Sequence, residues 1–83
     1  DSSQKKINNY NKTITDSTKE IEKLRAEQQY LTTDEIAESE DKISAFQQSI
    51  KSANDSIKSE QDKSRTYQQK LDEIKLKIKE IKN

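Results

Sequence analysis

The chain has no cysteine, histidine, glycine, proline, methionine or tryptophan, and each gap excludes something. Without cysteine there is no disulfide framework and no thiol chemistry, and no redox compartment can be read. Without histidine or cysteine a transition metal lacks its usual ligands, and without glycine there is neither a phosphate loop nor a calcium loop. The many serines have no neighbouring base to activate them. Paired carboxylates such as Glu38 with Asp41 and Glu20 with Glu22 fall on helix faces that read as solvated, where nothing raises a carboxyl pKa for acid work. The expectation is a protein that is not an enzyme, with no catalytic, cofactor-binding or metal site and no small-molecule substrate.

Long apolar runs are missing too. No stretch approaches the roughly 18 residues of a membrane span, and none reads as a signal peptide. Membrane contact is therefore expected only through an unseen anchor. The residues start at Asp1 instead of a methionine, which suggests a processed product or an excised segment. A lipidated cysteine just before Asp1 would make the chain a mature lipoprotein, with D-S-S-Q-K-K as a short polar tether.

Of the 83 residues, 27% are hydrophobic and 39% are charged, yet the 16 basic and 16 acidic groups cancel. Such a chain makes at most one small all-helical domain over 1–83, with a marginal core that needs very regular helix packing or a partner. What argues against disorder is spacing. Ile7, Ile14 and Ile21 recur at seven-residue intervals, with Tyr10, Leu24 and Leu31 at the companion position. A second frame holds Ile36, Ile43, Ile50, Ile57, Leu71 and Ile78, accompanied three residues later by Phe46, Ala53, Tyr67, Ile74 and Ile81. This heptad repeat has helical period and predicts a coiled coil or helical bundle.

The two frames are one residue out of phase, since stepping by sevens from Ile7 lands on Glu35. In a continuous helix that slip rotates the apolar stripe by about 100°. Thr32-Thr33-Asp34-Glu35 also matches a capping box, followed by an acid-rich first stretch that suits a helix N-terminus. A new helix is predicted to start there. Folded back antiparallel, residues whose numbers sum to 64 pair Ile7 with Ile57, Ile14 with Ile50 and Ile21 with Ile43. Those summing to 63 pair Tyr10 with Ala53, Ser17 with Phe46 and Leu24 with Ser39, so each bulky residue meets a small one.

Beyond Ile57 the core positions become Glu60 and Ser64. Burying an unpaired carboxylate costs several kcal/mol, more than a neighbouring Ile layer returns at about 1.5–3 kcal/mol, so 59–64 reads as lying outside a packed seam and as a second reversal. That reversal would bring Tyr67 near Ile57, Leu71 near Ala53, Ile74 near Ile50 and Ile78 near Phe46. Charge agrees, since residues 1–33, 34–62 and 63–83 carry nets of +1 (6−5), −5 (3−8) and +4 (7−3). The predicted fold is an antiparallel coiled-coil-like three-helix bundle over about 4–31, 34–58 and 64–82. The alternatives are a helical hairpin whose long second helix dimerises, and a straight rod.

Nucleic-acid binding would want basic residues interleaved with aromatics. The lysines of 70–82 come with Asp72, Glu73 and Glu80, and Tyr67 belongs to the core frame, so no nucleic-acid partner is expected. The same segment lacks the Trp or Phe of a membrane-surface helix. Two glycosylation triplets, N-K-T at 11–13 and N-D-S at 54–56, are what chance yields in a chain this rich in Asn, Ser and Thr.

Recognition or mechanics remains. The first expectation is a non-enzymatic helical protein-binding module, secreted or at the cell surface, where small helical binders and coiled-coil segments of this size and style occur. The second is a structural coiled-coil segment for self-association or spacing within a larger surface protein or lipoprotein. Tyr30 and Leu76, apolar residues outside the core frames, are the candidate partner contacts.

Overall fold

Nothing in the interior of either heptad run can break a helix, and the chain uses that freedom fully. The computed structural model describes residues 2–82, and the side chains of 2–81. Helix α1 spans Ser2–Glu27, a single 3-10 turn follows at Gln28–Tyr30, and helix α2 runs over Thr33–Lys82, 50 residues without interruption. At 1.5 Å per residue α2 alone is about 75 Å long, which accounts for the 76 × 16 × 14 Å dimensions of the molecule. Its radius of gyration is 21.4 Å, against about 12 Å for a compact domain of this length. The protein is an elongated helical hairpin.

The reversal is built without glycine. Among the described residues none has a positive φ. Instead the end of α1 tightens into the 3-10 turn, where Leu31 N–H donates to the Gln28 carbonyl at 3.1 Å. Leu31 then takes an extended conformation (φ −105°, ψ 153°). Gln29 donates its side-chain amide to the Ala26 carbonyl at 3.2 Å, satisfying one of the acceptors that a helix C-terminus leaves open. Across the corner, the half-buried Gln28 donates to the Ser39 hydroxyl at 3.3 Å and the Glu40 carboxylate at 2.8 Å.

The start of α2 is the reciprocal cap that its sequence specifies. Thr32 N–H donates to Glu35 Oε1 at 3.0 Å, and Glu35 N–H donates to Thr32 Oγ1 at 3.3 Å. The Thr32 carbonyl already accepts from Ile36 N–H at 2.8 Å, as an N-cap residue does. These bonds also lower the Glu35 pKa, the Thr32 backbone N–H contributing most and its side chain next.

Between the helices lies one thin seam in the antiparallel register read from the sequence. Ser3 bonds to Glu60, a pair summing to 63, while Tyr10 and Ala53 line one surface groove and Leu24 and Ser39 another. The small partners Ser17, Ser39 and Ala53 are all buried, and Ile43 is the most enclosed side chain at 1% exposure. Tyr10, Leu24 and Phe46 are half-buried opposite them. Small residues on one helix let the backbones approach, and the bulky ones facing them close the gap.

The expected third helix does not form as a separate element, and this corrects the bundle. Residues 59–64 are helical throughout. Ser59 and Asp62 make no cap, and no glycine or proline interrupts the intrahelical hydrogen bonds. Tyr67, Leu71, Ile74 and Ile78 therefore do not return to the 43–57 seam; they continue away from it. The first helix also starts earlier and ends sooner than 4–31. Ser2 to Lys6 form helix, not a tether, and the proposed lipidation point before Asp1 lies outside the described residues.

Candidate functional site

Among the described residues α1 starts at Ser2, opposite Glu60, and lies along only the first part of α2. Residues 61–82, about 33 Å of helix, extend past it as an overhang. The heptad frame crosses this boundary unbroken. The positions that bury Ile43 and Ala53 along the seam leave Tyr67 at 67%, Ile74 at 53%, Ile78 at 49% and Ile81 at 84% exposure on the overhang, with Leu71 half-buried. At 100° per residue these five side chains fall within an arc of about 80°, one narrow stripe along the helix.

Charge is sorted around that stripe. Lys63, Lys70 and Lys77 lie along one flank, immediately before the core positions, and Lys75 lies along the other with Gln68. Asp72, Glu73 and Glu80 are on the outer part of the helix. All of these side chains are exposed. Arg65 pairs with Asp62 at 4.0 Å and Gln68 donates to Asp72 at 3.1 Å, contacts along the helix surface that leave the stripe clear.

A polar knot marks where the covered seam ends. Glu60 has 8% of its surface exposed although it is a carboxylate at a core position. The expectation that it would stay outside a packed seam is thus corrected, and the reason is its partners. Ser3 Oγ donates to Glu60 Oε2 at 2.8 Å, and the ammonium groups of Lys6 and Lys63 stand 3.8 and 3.7 Å from Oε1. An accompanied carboxylate escapes the penalty that an isolated one would carry. Its pKa is lowered from the ordinary 4.5, chiefly by the Ser3 hydroxyl, against the opposing effect of removal from water and with the help of Lys6 and Lys63.

That shift has a sign. A carboxyl whose folded pKa is depressed contributes stability that is complete above its ordinary value and is lost as pH falls through the folded value. The hairpin is therefore expected to weaken as the pH drops below 4.5. Thermal melts followed by circular dichroism should show a smaller acid-induced fall in Tm for Glu60→Gln than for the parent chain.

The two residues singled out from sequence sit far apart. Tyr30 is in the 3-10 turn at one end, 81% exposed, and Leu76 is on the overhang, 61% exposed. Leu76 lies half a helical turn away from the stripe, so the structure brings neither residue to it. The stripe is legible in the sequence as apolar residues that need cover; the bundle assigned it to the interior, whereas the alternative, a hairpin with a long second helix, leaves it on an overhang as the structure does.

Grooves on the surface are open. One of them, about 610 Å³, is lined by Asp55, Lys58, Asp62, Thr66, Tyr67 and other residues of α2 alone, so no second element walls it. Among the described residues no group of three or more Asp or Glu is placed to hold a metal ion, and no helix is long and apolar enough to cross a membrane. Comparison with protein-family models, with curated proteins and with solved structures finds no match for this chain.

Proposed function

We propose that the protein is a non-enzymatic helical interaction element, in which the hairpin is the scaffold and the overhang of α2 is the binding surface. The observation that carries this reading is the continuous heptad frame, covered by α1 up to Glu60 and bare beyond it. Fully burying a large aliphatic or aromatic side chain is worth about 1.5–3 kcal/mol, so a helix laid along Tyr67, Leu71, Ile74, Ile78 and Ile81 would gain substantial free energy from five such contacts. Helix-on-helix recognition reads anchors at this spacing. The length of the molecule also suits a spacer that holds the binding surface away from the turn.

The test uses a fluorescent three-heptad peptide with leucine at its core positions and glutamine at its flanks, measured by anisotropy. The parent chain should bind it, and Ile74→Asp/Ile78→Asp should not, while far-ultraviolet circular dichroism shows the hairpin of the variant intact. Equal binding by both proteins, or none by either, would contradict the assignment of the surface.

A further inference from the structure

Resting on that reading, we infer that the occupant of the stripe is an amphipathic helix with acidic flanks and not a second copy of this chain. The inference starts from the flanks and not from the stripe. In a coiled coil the residues bordering the core decide which helices pair, because each faces its counterpart on the other strand. On the overhang these residues are Lys63, Gln68, Lys70, Lys75 and Lys77. None is acidic.

The intramolecular seam shows how this chain treats such positions. Across it Lys6 on α1 pairs with Glu60 on α2 at 3.8 Å, and its register sets Glu20 level with Lys42 and Arg25 level with Glu40, against one acidic pair, Glu27 with Glu35, beside the turn. A second copy cannot repeat that on the overhang. In the antiparallel arrangement that copies the hairpin register, Ile74 faces Ile74, Leu71 faces Ile78 and Tyr67 faces Ile81, an all-apolar core. The borders then oppose Lys70 to Lys77 and Lys75 to Lys75. Shifting by a heptad or turning the strands parallel changes the pairs but not the sign, since every border residue from 63 to 77 is lysine or glutamine. Like charges at close pairing positions disfavour the complex.

An anionic lipid surface would also meet lysines beside an apolar stripe. The stripe is narrower than a lipid-facing one, it has no tryptophan or phenylalanine, and Asp72, Glu73 and Glu80 would be carried toward the headgroups. It also continues a seam that already holds a helix. A helix with glutamate or aspartate at its borders fits all of these features.

Two further peptides test the inference, identical to the glutamine-flanked one except for glutamate or lysine at every border position. The glutamate peptide should bind at least about tenfold more tightly than the lysine peptide at low salt, and the ratio should shrink as salt screens the borders. Lys70→Glu/Lys75→Glu/Lys77→Glu should reverse the preference. If the glutamine peptide binds and charge makes no difference, the acidic partner is wrong while the binding surface stands. If no peptide binds, both fall. Concentration-dependent dimerisation of the parent chain in light scattering, abolished by Ile74→Asp, would replace the proposal with self-association. Binding to phosphatidylserine-containing vesicles without binding to any peptide would replace it with a membrane surface.

Discussion

Ile43→Asp is expected to open the hairpin. Among the described residues Ile43 is the one large side chain enclosed to within 1% of its surface, and the seam around it is a single layer deep. An isolated carboxylate placed there has no counterpart of the Ser3, Lys6 and Lys63 arrangement that accommodates Glu60. Leaving a buried charge uncompensated costs about 3–5 kcal/mol, comparable to what a core this small supplies in total. Circular dichroism should show a collapse of helicity and loss of a cooperative melt. The same substitution at Ile74 makes the matching control. Ile74 holds the companion position of the same frame but is 53% exposed, so Ile74→Asp should leave the melt within about 0.5 kcal/mol of the parent. In a folded-back bundle both changes would unfold the chain.

Ala53→Phe is expected to be the second most damaging change, and Tyr10→Ala to rescue it in part. Ala53 is 4% exposed and shares a groove with Tyr10, so its methyl sets how closely the helices approach at that level. Phenylalanine there forces the backbones apart or the ring off its preferred rotamer, at about 1–3 kcal/mol. Tyr10→Ala alone removes the bulky half of the layer and leaves Ala53 uncovered. Combined, the two changes exchange large for small across the seam, and the double variant should be more stable than the sum of the single losses predicts. A coupling energy of at least about 0.5 kcal/mol from urea melts would verify the pairing; strict additivity would show that the residues do not face each other.

Much of this architecture is legible in the sequence because it rests on local chemistry. Thr32 and Glu35 cap each other through bonds that depend on four consecutive residues, and the frame slip before Ile36 is visible by counting. The pairing sums hold because antiparallel helices of fixed rise leave one register once the turn is placed. The corner itself was less legible. Without glycine, its geometry comes from a tightened 3-10 turn and one extended residue, Leu31, which no residue type in 28–31 announces.

The sequence favours a folded-back overhang over the hairpin alternative for a reason that Glu60 makes plain. A carboxylate in the core frame looks like the edge of a packed region, and it is an edge, but of α1 and not of α2. Whether such a residue stops a helix depends on what stands opposite, here the Ser3 hydroxyl and Lys6, 57 and 54 positions away in the chain (60−3 and 60−6). Helix propensity sees none of that. An apolar stripe likewise demands cover without stating whose, so the five residues from Tyr67 to Ile81 fit a third helix and an intermolecular surface equally well. The border lysines suit a seam against the acidic 34–62 stretch as well as a docking surface.

One distance carries the greatest weight, that between nitroxide labels at Ala45→Cys and Lys79→Cys measured by pulsed electron–electron resonance. Both sites are exposed on α2, 34 residues apart (79−45). A straight helix separates them by about 51 Å. A narrow distribution near that value is the result expected of an uninterrupted α2 with a free overhang; a separation of about 10–15 Å, the spacing of adjacent packed helices, would mean that the last third of the chain folds back and that the docking surface does not exist.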